Sequence, residues 1–113
     1  EAYVPHFKLN PKEAVALINQ AGGIAVLAHP GLVGNDALVN DLLTSVPIKG
    51  LEVYHPDHSP LQTQKYLALA RRYNLLVTGG SDFHGIPGRF PERLGDFRVD
   101  KSCADNLLNY VLA

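Results

Sequence analysis

Apolar positions along this chain fall into two kinds of segment that alternate: helical stripes and short continuous runs. Ala14, Leu17, Ile18 and Ala21 recur at i, i+3, i+4 and i+7, the spacing of one helix face. Asn10-Pro11-Lys12-Glu13 supplies the start, with Asn10 as N-cap, Pro11 at the first helical position and Glu13 placed to complete a capping box. The helix is expected to reach about Ala21, and Gly22-Gly23 offers a left-handed stop. Ile24 to Ala28 is then an unbroken apolar run, the signature of a strand buried on both faces of a parallel sheet, and His29-Pro30-Gly31 ends it.

The same unit recurs twice. A helix from about Asp36 to Ser45 leads into the strand Gly50 to Tyr54, with His55 to Ser59 as its loop. Ser59-Pro60 caps a further helix, whose apolar face is expected to comprise Leu61, Tyr66 (less regularly), Leu67, Leu69 and Ala70, and which ends at Asn74. Leu75 to Thr78 is the third strand, followed by the loop Gly79 to Gly85. The segment Ile86 to Gly95 is irregular, a last helix runs from Lys101 or Ser102 to Leu112, and residues 1 to 9 form a lead-in without helical period. Strand, loop and helix in this order predict an α/β fold with three parallel strands alternating with helices.

Composition narrows the function. With 113 residues the chain is one domain or part of one, and 46% apolar with 19% charged residues is a globular balance. Ten basic against eleven acidic side chains give a net charge of −1, which excludes a global positive field for long duplex nucleic acid or an anionic membrane. The single Cys103 cannot form an intramolecular disulfide, and apolar runs of about five residues are too short for a membrane span. A cytoplasmic location is therefore expected, with Cys103 as a small core residue.

Histidine placement is the informative feature. His29, His55, His58 and His84, together with Asp82, all lie just after predicted strands, and loops at the carboxyl ends of parallel strands converge on one face, where ligands bind. Imidazole and carboxylate are donors that zinc, manganese and iron accept. Asp82 and His84, two apart in an extended segment, would project to one side while Phe83 packs away; the other reading is a turn cap and a surface histidine. Pro30 should hold His29 extended and fix its exit from the sheet, whether as a ligand or as a half-buried histidine bonded to a carbonyl. Glu52, on an apolar strand, pairs with a cation or accepts from a neighbouring loop. His55 and His58 flank a Pro-Asp turn before a helix start and serve either as turn and cap residues or as donors to a phosphate. Arg89 is a candidate phosphate clamp or a solvated arginine, and His6 lies outside the pattern.

Three motifs in order, Gly22-Gly23-Ile24-Ala25-Val26-Leu27-Ala28-His29-Pro30-Gly31, Gly50-Leu51-Glu52-Val53-Tyr54-His55-Pro56-Asp57-His58-Ser59 and Thr78-Gly79-Gly80-Ser81-Asp82-Phe83-His84-Gly85, resemble the later motifs of the polymerase and histidinol phosphatase (PHP) superfamily. They are most similar to its stand-alone phosphoesterase branch, typified by the bacterial TrpH/YciV-like proteins. The resemblance spans about Tyr3 to the C-terminus. It implies a distorted (β/α)7 barrel whose mouth holds two or three divalent metals, manganese, iron or zinc, and hydrolyses phosphate esters of nucleotides, short oligonucleotides or small phosphorylated metabolites. On that resemblance His29, Asp82 and His84 match metal ligands, Glu52, His55 and His58 match a strand end and loop bordering the substrate phosphate, and His58 is the candidate catalytic residue, as proton donor or phosphate contact.

The superfamily's first motif, His-x-His followed by an aspartate, is absent: residues 1 to 28 hold no His-x-His, and their only histidine is His6, followed by Glu13 at the start of the first helix. The chain, residues 1–113, therefore resembles the C-terminal portion of such an enzyme, expected to be weakly active or inactive alone and to self-associate through open sheet edges. Two rivals stand beside this reading. One is a non-catalytic α/β scaffold or partner-binding domain with vestigial ligands; the other is a metal-dependent amidohydrolase on a similar barrel.

Overall fold

A computed structural model describes residues 9–113, so the lead-in segment, apart from Leu9, and His6 lie outside the described residues. Among those described, three parallel strands form one sheet: β1 (Val26–Leu27), β2 (Gly50–Tyr54) and β3 (Leu76–Gly79), in the spatial order β1-β2-β3. The helices are α1 (Pro11–Gln20), α2 (Asp36–Ser45), α3 (Pro60–Arg72) and α4 (Lys101–Leu112), with a 3-10 turn at Pro30–Leu32. The α/β expectation holds, with three parallel strands alternating with helices.

Local chemistry explains most element ends. Asn35 caps α2 by accepting from the Leu38 N–H at 3.1 Å, and Ser59 caps α3 with a complete capping box, the Gln62 side chain reaching back to the Ser59 N–H at 2.9 Å. Asn10 caps α1 by accepting from the Glu13 N–H at 2.8 Å. Here the reciprocal arm differs from expectation, because the Glu13 carboxylate takes the Asn10 side-chain amide rather than a backbone N–H. Gly22, at φ 81°, ends α1 in the left-handed conformation.

Packing overturns several finer expectations. Val15 is the buried residue of α1, while Leu17 and Ile18 of the expected stripe are exposed. The helix docks through a small contact with Ala25 and Val46, so a narrow face suffices. On α3 the buried residues are Tyr66 and Ala70, and Leu61 is 78% exposed. Leu61 sits in the first turn, outside the reach of the sheet, whereas Tyr66 fills the main core with Val39, Leu43, Leu51, Val53 and Ala70. The run Ile24 to Ala28 yields only two residues of strand, half-buried rather than covered on both faces, because β1 is an edge of the sheet. Strand β3 is shifted by one residue to Leu76–Gly79. Cys103 is half-buried on α4, which rests on β3 and buries no residue completely; burial pushes its thiol above the usual range.

The core fixes the platform for the loops. Leu51 and Val53 of β2, both fully buried, point into α2 and α3, which leaves the β2 carboxyl end between the loops that follow β1 and β3. Register is continuous from Gly50↔Leu76 to Glu52↔Thr78 and then shifts, so that Tyr54 pairs with Gly79. A Cβ on Gly79 would lie 2.6 Å from the Tyr54 Cβ, so only glycine permits this close approach. No helix among the described residues is long and apolar enough to cross a membrane.

Candidate metal and phosphate site

The loop after β1 carries His29 in a backbone conformation that residues with side chains rarely adopt, φ 25° and ψ 67°. The expectation that Pro30 holds this residue extended is therefore wrong. Two bonds from the neighbouring β2 region override the local preference. The His29 N–H donates to Glu52 Oε1 at 3.0 Å, and the Gly31 N–H donates to His58 Nε2 at 3.1 Å. Between them the chain turns at once into the 3-10 turn. Glu52 is thus an acceptor for the neighbouring loop, one of the two roles open to it from sequence. Its other oxygen lies toward Gly80, whose added Cβ would stand 3.6 Å from Oε2.

Two histidines of the β2 loop are buried, and their bonding defines their tautomers. The Asp57 N–H donates to His55 Nδ1 at 3.0 Å, so Nε2 carries the proton, and it faces Asp82 Oδ2 at 3.3 Å. His58 is reversed: Nδ1 lies 2.8 Å from the Val53 carbonyl, which can only accept, and Nε2 receives the Gly31 N–H. Its ring is flanked by Tyr66 and His55, with centroids 5.0 and 5.5 Å away. Neither ring nitrogen is open to a substrate. His58 is thus bonded within the fold at both ring nitrogens, and His55 contacts the Asp82 carboxylate.

After β3, Asp82 adopts φ 51°, so Asp82-Phe83-His84 is not the extended segment expected. His84 does come to the Asp82 side, but by turning back, with Nδ1 bonded to the Asp82 carbonyl and 3.7 Å from Oδ1. That bond places the proton on Nδ1 and leaves Nε2 as a donor atom for a ligand. Phe83 is 37% exposed instead of packed away. The His55 imidazole bonded to Asp82 holds the carboxyl below the usual range; the nearby His84 and His29 rings act in the same sense, and partial desolvation opposes them. Arg89 reaches the carboxylate at 3.9 Å with its side chain half-exposed.

The structure therefore gathers His29, His55, Asp82, His84 and Arg89 at the carboxyl ends of the strands. The His29 ring lies edge-on to His55 at 5.3 Å, and its Nδ1 is buried without a hydrogen-bond partner. An unpartnered imidazole nitrogen beside an ionised carboxylate fits a divalent cation in donor chemistry. Among the described residues, however, no group of three or more histidine, cysteine, aspartate or glutamate side chains is close enough to hold a metal ion. His29, Asp82 and His84 share one face without forming a closed set. The sequence marks Gly31 only as a strand end; its packing on His58, 27 residues away, has no local signal.

No protein-family model matches the chain. It is 42% identical over 83 residues to a phosphoribosyl 1,2-cyclic phosphate 1,2-diphosphodiesterase of Eggerthella lenta, covering 74% of this chain and 31% of that protein. It is 37% identical over 90 residues to a 3′,5′-nucleoside bisphosphate phosphatase of Chromobacterium violaceum, covering 76% of this chain and 31% of that one. Among solved structures, a proposed metal-dependent phosphoesterase from Bifidobacterium adolescentis matches 95% of this chain and 38% of its own, at 33% identity and a TM-score of 0.64. The chain thus spans about a third of the length of the proteins it matches.

Proposed function

We propose that this chain, which belongs to the polymerase and histidinol phosphatase superfamily, is the C-terminal portion of a distorted seven-stranded α/β barrel that hydrolyses phosphate esters with divalent metal ions. One observation carries the reading: His29 and Asp82, from the ends of two different strands, both hold left-handed backbone conformations and meet beside His55. Strained non-glycine residues persist where the surroundings over-determine them, and they cluster at functional sites. The third such residue among those described, Asn74, follows α3 as an ordinary helix terminus.

In this reading His29 offers Nδ1, Asp82 its carboxylate and His84 its Nε2 to manganese, iron or zinc, the remaining ligands coming from the rest of the barrel. The bound metal would polarise phosphoryl oxygens and lower the pKa of a water. His55 keeps Asp82 ionised and oriented by donating Nε2–H. Arg89, half-exposed beside that carboxylate, is free to swing onto a phosphate oxygen. The substrate is a nucleotide, a short oligonucleotide or another small phosphorylated metabolite, in keeping with what the similar proteins are named for, and the free Cys103 accords with a reducing cytoplasm.

The test is hydrolysis by the longer protein carrying this sequence, supplied with manganese and offered a nucleoside 3′,5′-bisphosphate and a cyclic phosphodiester. Turnover is expected on one of them, and His29→Ala should lower it by more than the ~10–100-fold that changes behind the ligands produce. The incomplete donor set among the described residues favours a second reading, a non-catalytic scaffold. A protein with no turnover, or with turnover indifferent to His29→Ala, decides for the scaffold.

A further inference from the structure

His58 is buried, its two ring nitrogens are both occupied by backbone groups, and a proton donor needs one of them free. The two groups belong to different strand ends: the Val53 carbonyl on β2 and the Gly31 N–H two residues beyond His29. The fit leaves no slack, since a Cβ on Gly31 would stand 2.6 Å from His58 Cδ2 and 2.9 Å from Nε2. On the other side of His29, its own N–H is taken by Glu52. The strained residue is thus gripped at both flanks by β2-derived acceptors, and both grips run through backbone N–H groups, leaving the imidazole of His29 outside the bonding.

We infer that His58 and Glu52 form a two-point clamp that positions His29, with His58 acting as a fixed neutral Nδ1–H tautomer and never as an acid. The inference rests on the phosphoesterase reading for its consequence in catalysis, but not for the clamp itself. Holding a ligand in a conformation it would not adopt alone removes the ordering cost from the binding step. His58 is a positioning residue: it acts through Gly31 and His29 and touches neither metal nor phosphate.

Two measurements test it. In the 15N-labelled chain, the Gly31 amide and His58 Nε2 should show a scalar coupling across their hydrogen bond, with the His58 nitrogen shifts of an Nδ1–H tautomer. This needs no variant and is indifferent to whether the protein hydrolyses anything. Absence of the coupling, or the opposite tautomer, overturns the clamp even if phosphoesterase activity is found.

The second is a pair of substitutions in the longer protein, with manganese affinity measured by titration of the metal alone and activity measured beside it. Glutamine places a carbonyl oxygen near the Nε2 position but cannot donate a proton as a general acid. His58→Gln is therefore expected to keep manganese affinity within about threefold, whereas His58→Ala weakens it ~10–100-fold, the usual range for a residue behind a ligand. Thermal unfolding of both variants separates this from general loss of fold. If His58→Gln loses as much turnover as His58→Ala at saturating manganese, together with the acid limb of the pH profile, then His58 transfers a proton and the clamp is wrong.

Discussion

The loop after β1 is held from outside itself, by Glu52 and by buried His58 at 3.0 and 3.1 Å, whereas the loop after β3 is folded largely on its own atoms. His84 turns back onto the Asp82 carbonyl with its side chain 47% exposed, and beyond the Gly80 N–H bonded to the Tyr54 carbonyl at 3.0 Å, at the strand end itself, the loop is tied to β2 by the 3.3 Å contact from His55 to Asp82. One half of the candidate site is preorganised by long-range bonds, while the other is a short exposed hook. Preorganised groups bind without an ordering cost, and exposed ones adapt to what they bind.

Removing the platform shared by both loops should produce the largest effect. Leu51 is fully buried and pairs in register with Leu27 of β1 and Val77 of β3. Leu51→Ala is expected to lower unfolding free energy by about 2–5 kcal/mol in urea titration. A loss below about 1 kcal/mol would show that the loops do not depend on a common strand.

A matched pair of glycine substitutions sharpens the contrast. Gly31→Ala drives a methyl into His58, at a cost of about 1–3 kcal/mol for overpacking, and should shift the backbone amides of His29 and Val53. Gly85→Ala meets nothing nearer than the Phe83 ring at 3.7 Å and bears only the strain of φ 70°, about 1–2 kcal/mol. Its amide shifts should stay within the β3 loop. Equal shifts of the His29 amide in both variants would erase the distinction between the loops.

The smallest effect concerns the outer, weakly buried end of the chain. The Ser102 side chain and backbone bonded to Asp100 hold that carboxyl below its ordinary value, so ionised Asp100 stabilises the start of α4. A depressed folded-state pKa gives stability fully present above the unfolded value, near 4, and lost as pH falls through the folded one. Acid titration by circular dichroism should show helix loss below about pH 4 that Asp100→Asn reduces. A profile unchanged by that substitution would remove the cap from the account.

Regular elements with local signals were legible in the chain itself. Asn10 and Ser59 act as the caps their sequence predicts, and α2 and β2 occupy the spans their patterns predict. The misplacements lie where the partner surface decides. Val15 replaces Leu17 and Ile18 as the buried residue of α1 because Ala25 and Val46 meet only that side. The histidines show the same division, since their position at strand ends was readable while their roles were not. Whether a ring nitrogen donates, accepts or stays free depends on Asp57, Val53 and Gly31, and no spacing within the sequence encodes those bonds.

The most direct test of the half-formed site is metal content after dialysis against manganese or zinc, for the native chain and for an Asp82→Ala/His84→Ala variant. The account predicts about one metal ion per native chain and none in the variant. Equal content in the two, whether both loaded or both empty, would contradict it.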